Sequence, residues 1–192
     1  MTLTLLLTVL TVQAANAYVT GRVTLNGRGV TDAVVLVRSG LPRGAKYQAP
    51  TSPVTVTVRG CRFTPSIVAL MPGQALEIRN ADAEPRRITS VGRRNPPFDV
   101  VVAAKRSTRR YLATPEIPVR LRCDGRAANA GAVAVLSHPY FAVTGAVGEY
   151  ALAPLPPGTY VLEAWHGRYG TRSATVTLRR APLSQDFRFA AP

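Results

Sequence analysis

The chain has 192 residues, 46% of them hydrophobic and 18% charged, a balance that excludes a disordered or collagen-like chain and allows one or two small domains with packed cores. Its formal net charge is +14, and the cations are almost all arginine, with Lys46 and Lys105 the only lysines. Such a balance bears on solubility and acidic partners rather than on fold, and an arginine-rich bias also follows from a GC-rich genome.

Residues 1–17, MTLTLLLTVLTVQAANA, hold no charged side chain and end in a small-x-small pattern, Ala15-Asn16-Ala17. They read as a secretory signal, although the usual basic residue near the start is missing. The apolar run is shorter than the ~20 residues needed to cross a bilayer, so no transmembrane span is expected in a mature chain beginning at Tyr18. The expected location is periplasmic or secreted. In that oxidising setting the two cysteines, Cys61 and Cys123, are expected to be bridged.

Beyond residue 17 no stretch sustains a 3.6-residue period, whereas short β-branched runs recur between Gly, Pro and Asn. YVTGRVTL and DAVVLVRS flank Asn26-Gly27, a hairpin-turn signal. Residues 38–53 read as a linker. SPVTVTVRG, SIVALMPG and QALEIRN follow, with Pro72-Gly73 a turn, and then residues 90–114 read as polar, basic loops. GAVAVLS, GEYALAPL, GTYVLEAWH and SATVTLRR complete the pattern. Strands at this spacing predict an all-β protein built of sandwiches or barrels.

The segment CRFTPSIVALMPGQALEIRNAD, residues 61–82, resembles the plastocyanin-like domains of the cupredoxin family. Phe63, Pro65, Pro72, Gly73, Leu76, Ile78, Asn80 and Asp82 fit that family's pattern, and Cys123-Asp124 followed by HPYFAVT fits its second landmark. The resemblance spans residues 52–136 and implies a Greek-key sandwich. The metal ligands depart from it. Arg86 stands in the first histidine slot, Arg126 in the second and Asn129 in the methionine slot. A blue-copper site needs two neutral imidazoles and a thiolate, and a guanidinium has no lone pair to offer. No cofactor is therefore expected, and Cys123 is left to pair with Cys61.

FAVTGAVGEYALAPLPPGTYVLEAWHGRYGTRSATVTL resembles a carboxypeptidase regulatory-like domain, a prealbumin-like sandwich of the carbohydrate-binding-like fold, on Thr144, Gly148, Tyr150, Leu152, Leu155 to Gly158 and Tyr160. Residues 21–37 resemble that family's opening hairpin. The resemblance implies two β-sandwich modules, with residues 18–46 and 138–190 forming one and residues 52–136 inserted into it or packed beside it. The other arrangement adds a lone N-terminal hairpin to the cupredoxin-like sheet.

Catalytic signatures are missing. His138 and His166, the only histidines, begin no zinc-binding spacing, no phosphate loop or nucleophile elbow occurs, and Ser137 beside His138 points to the opposite strand face. The chain is expected not to be an enzyme. Tyr150, Tyr160 and Trp165 suit either core packing, the favoured reading, or carbohydrate stacking. Arg86, Arg87 and Arg126 are candidate anion-binding residues, within a wider basic set that includes Arg93, Arg94, Lys105, Arg106, Arg109 and Arg110. Acidic polysaccharide, a lipid head group or an acidic protein would suit them, while Asp82, Glu84 and Asp124 offer internal salt bridges instead. Nucleic acid is not expected. The function expected is an exported binding or structural accessory. The alternatives are a carbohydrate-binding module, or a copper-handling or electron-transfer accessory using ligands such as His138, Cys61 and Met71.

Overall fold

A computed structural model describes residues 16–191, with the side chains of residues 126–130 excluded. The expected signal at residues 1–17 falls almost wholly outside this range. All regular elements among the described residues are strands. In chain order they are β1 (Val19–Leu25), β2 (Arg28–Gly29), β3 (Val34–Ser39), β4 (Val54–Arg59), β5 (Arg62–Thr64) and β6 (Ile67–Leu70). Next come β7 (Ala75–Asn80), β8 (Arg86–Val91), β9 (Asp99–Val102), β10 (Ser107–Tyr111), β11 (Glu116–Cys123) and β12 (Arg126–Val135). The last are β13 (Phe141–Val143), β14 (Glu149–Ala151), β15 (Gly158–His166), β16 (Gly170–Leu178), β17 (Leu183–Ser184) and β18 (Phe187–Phe189). No helix among the described residues is long and apolar enough to cross a membrane.

Four sheets form two sandwiches. In the first, β1 pairs with β14, β17, β18 and β2, facing a sheet ordered β13-β3-β15-β16. Val19, Val23, Val35, Val37, Leu162 and Phe187 meet in its core. In the second, the sheet β10-β7-β4-β5 faces β6-β12-β11-β8-β9. Val56, Ile78, Ile88, Leu121 and Val133 fill the space between them. The first sandwich thus draws on both ends of the described chain and the second on its middle, and β1 pairs with no strand of the second.

Alternation explains how they join. On β3, Val35 and Val37 point into the first core, while Val34 and Leu36 point outward and pack with Ile67, Ala134 and Leu136 of the second sandwich. The unbroken run VVLV, buried at all four positions, is therefore a strand covered on both faces. On β12, Val133 and Val135 face the second core and the small Ala134 faces β3, which lets the sandwiches approach closely.

Asn26-Gly27 forms the expected tight turn, both residues having positive φ, but its hairpin joins β1 to the two-residue β2. Contrary to the hairpin expected over residues 21–37, β3 does not pair with β1. It crosses to the facing sheet, between β13 and β15, because its doubly apolar faces need cover that an edge hairpin lacks. Residues 90–114, expected as loops, contain β9 and β10. Strand β10, STRRY, has no buried residue and is held as an edge by backbone pairing to β7, so its polar sequence hides it.

Candidate functional site

Two tight hairpins meet at one end of the second sandwich. Between β4 and β5 the turn is Gly60-Cys61, with φ of 55° and 60°, and between β11 and β12 it is Asp124-Gly125, with φ of 49° and 73°. Left-handed conformations at both central residues define the two-residue turn that matches strand twist, for which Asp-Gly is a preferred pair. The segment after Cys123 is accordingly a hairpin and not an open metal loop. Arg126 pairs opposite Cys123, and the backbone of residues 126–130 belongs to β12.

Cys61 and Cys123 are bonded to each other, as expected from their number. Both are buried, and the bridge ties a hairpin of one sheet to a hairpin of the facing sheet. Around it lies a network of carboxylates and arginine. Asn80, buried between β7 and the following loop, accepts the Asp82 amide on Oδ1 and donates through Nδ2 to the carbonyls of Glu84, Val102 and Ala103. Asp82 then accepts the Gly60 amide at 2.9 Å and Arg86 Nε at 2.7 Å. Arg86 also donates through Nη1 to Asp124 Oδ2 at 3.1 Å and lies 3.9 Å from Glu84. Asp124 accepts the Arg87 amide, and its Oδ2 sits 3.3 Å from Cys61 Sγ. The hydrogen bond from Arg86, then that from the Gly60 amide, holds the Asp82 carboxyl below its ordinary range.

This arrangement places Arg86 among three carboxylates. Arg87 lies on the neighbouring position and donates through Nε and Nη2 to Asp99. The fork of Arg86 is thus compensated inside the protein, and the side chain of Arg126 lies outside the described residues. Among the described residues one group of potential metal donors is present, Cys61, Cys123 and Asp124, whose ligand atoms lie within 4.8 Å of one another. Its sulfurs are joined, and neither histidine is near this set. His138 Nε2 bonds the Val37 carbonyl and Nδ1 accepts the Tyr140 amide, so both ring nitrogens are engaged. The residues present do not fit a blue-copper centre.

The three aromatic residues form no common platform. Tyr150 and Tyr160 are buried in the first core, their hydroxyls donating to the carbonyls of Gln185 and Pro156. Trp165, an odd number of positions from Tyr160 along β15, faces the other way and is half-buried at the junction of the sandwiches.

A cleft of about 740 Å³ opens beside Trp165. Sequence reading did not find it, because its walls come from β3, β11, β15 and residues 91–94. A pocket of about 630 Å³ lies between the β1–β2 turn and the stacked His166 and Tyr169 rings.

No family model matches the chain, and no curated protein matches it. Solved structures do show local likeness. A purple cupredoxin from Nitrosopumilus maritimus is 14% identical, with 43% of this chain covering 98% of that one at a TM-score of 0.36. A copper-containing nitrite reductase from Thermus scotoductus SA-01 is 21% identical over 51% of this chain and 25% of that chain, with a TM-score of 0.40. The reduced copper(I) form of an amicyanin variant is 10% identical over 55% of this chain and 99% of that one, with a TM-score of 0.39.

Proposed function

We propose that this chain is an exported, non-enzymatic binding or structural accessory, in which the pole corresponding to a copper site in metal-bearing cupredoxins serves as a structural clasp. The observation that carries this reading is the Cys61–Cys123 bridge flanked by Arg86 on Asp82 and Asp124. A sulfur in a disulfide offers no thiolate, a guanidinium has no lone pair to offer a metal, and the carboxylates of Asp82 and Asp124 are already engaged by Arg86. Electron transfer through a resident copper is disfavoured on the same grounds. Adding copper(II) to the oxidised protein tests the reading. The expected result is no stoichiometric binding and no thiolate-to-copper absorption band, and tight one-to-one uptake would overturn it.

One observation favours a second reading, copper handling in the reduced state. Breaking the bridge would leave two thiolates beside Asp124, donors suited to a soft cation. Copper(I) titration of the reduced protein, with and without Asp124→Asn, separates the two readings. Stoichiometric uptake that weakens in the variant supports metal handling, and its absence leaves the clasp.

A further inference from the structure

We infer that the cleft at the junction of the two sandwiches is a binding site for a ring-shaped ligand carrying a carboxylate. Its apolar floor is the half-buried indole of Trp165 with Leu36, Ile117 and Leu136. The outward faces of β3 and β15 supply one wall, since Leu36 and Arg38 alternate with the core residues of β3, and Glu163 and Trp165 with those of β15. The other wall is the outer face of β11, carrying Arg120, and the loop after β8, carrying Arg93 and Arg94.

The loop is set by a carboxylate anchor. Glu116 accepts the backbone amides of Arg93, Arg94 and Asn95 and the side-chain amide of Asn95. Desolvation pushes the Glu116 carboxyl up, but these donors outweigh it and hold it below its ordinary range, so it stays ionised and spends its oxygens on the loop. Two arginine side chains are thereby presented at the cleft rim by a fixed backbone. Glu163, the other carboxylate of the cleft, stands 3.6 Å from Arg38 Nε. Arg94 donates to the Pro115 carbonyl. Arg93 and Arg120 make no side-chain ion pair among the described residues, and both are exposed. The guanidinium groups of Arg38, Arg93, Arg94 and Arg120 thus outnumber the carboxylates of Glu116 and Glu163, both already engaged.

An apolar floor with a few converging polar groups, in a volume within the usual range for small ligands, fits a ligand with a compact ring body. Planar forks at the rim fit a carboxylate. Two sources share that chemistry, a free ring acid and the uronate residue of an acidic polysaccharide. The inference deepens the binding-accessory reading, but the cleft shares no residue with the disulfide pole, so ligand and copper titrations fail independently.

Trp165 is the only tryptophan, so its fluorescence reports this cleft. Cyclohexanecarboxylate and digalacturonate are titrated against the full oxidised chain, beside their neutral counterparts cyclohexylmethanol and galactobiose. A saturable change with at least one acid is expected, with binding at least tenfold weaker for its neutral counterpart and for the Arg93→Gln/Arg120→Gln variant. Preference for the digalacturonate assigns the polysaccharide source, and preference for cyclohexanecarboxylate the free acid. These arginines are exposed, and a thermal melt matching the parent verifies that the variant is folded. Arg38→Gln provides a second folded variant with the same expectation. No saturable change with either acid, equal affinity for the neutral compounds, or undiminished binding in the folded variants would overturn the site.

Discussion

Removing the clasp with Cys61→Ala/Cys123→Ala should lower stability by about 4 kcal/mol. The bridge spans a sequence separation of 62 residues. On the chain-entropy model, closing a loop of that size removes about 14 cal/mol/K from the unfolded ensemble, or about 4 kcal/mol at 25 °C. Both residues are buried, so the alanine variant also loses the packing of two sulfurs, whereas the reduced parent keeps most of that volume. For a chain of this size each kcal/mol moves the melting temperature by about 2–4 °C, which gives a fall of about 8–16 °C. Differential scanning calorimetry on oxidised parent, reduced parent and the double variant measures it. The reduced parent should show most of the fall and the variant slightly more. A fall below about 3 °C in both would refute the loop-closure reasoning and leave the bridge without a stabilising role.

Thr144→Val removes a buried hydroxyl that accepts the Ala33 amide and donates to the Val30 carbonyl, so chemical denaturation should show a loss of about 2–4 kcal/mol from two stranded backbone groups. Asn80→Ala should free the residue 81–85 loop and the end of β9, seen as faster amide exchange at Asp82 together with a loss of about 2–3 kcal/mol. The carboxyls of Asp82 and Asp99 are lowered by their hydrogen bonds to Arg86 and Arg87, and that of Glu116 is lowered by the loop amides against its desolvation. Folded values below the unfolded ones mean that the stability is fully present above the ordinary values of 3.8 for Asp and 4.5 for Glu and is lost as pH falls through the folded values. Melting temperature should therefore hold from neutral pH to about 5 and then decline, with a shallower decline in Asp82→Asn.

The all-β class was legible because Gly, Pro and Asn interrupt short β-branched runs at every turn, and Asn26-Gly27 takes the positive φ values that its sequence demands. The pairing of Cys61 with Cys123 followed from their number and setting. Asp124-Gly125 was as plain a turn signal as Asn26-Gly27. Reading the segment against a metal loop concealed it, and the structure shows a two-residue hairpin there. Strand β10 carried no signal, since an edge strand with both faces wet needs no apolar alternation. The partner of β3 was likewise hidden. Its run of valines and leucine declares burial on two faces without saying which sheets provide the cover.

The arginines show most clearly where sequence stops and tertiary placement begins. Arg86, Arg87, Arg93 and Arg94 lie within nine positions, each with a neighbour of the same charge, and composition cannot separate them. Folding divides them by what faces them. Asp82, Asp124 and Asp99 arrive beside the first pair from a loop, a hairpin turn and a strand, and neutralise it next to the disulfide. Glu116 reaches the second pair too, but it takes their backbone amides and leaves the side chains at the cleft rim. A carboxylate that accepts from guanidinium cancels a charge, whereas one that accepts from the main chain fixes where that charge stands. That distinction, invisible in a count of acids and bases, is why the proposed anion site is placed at the junction cleft and not at the clasp.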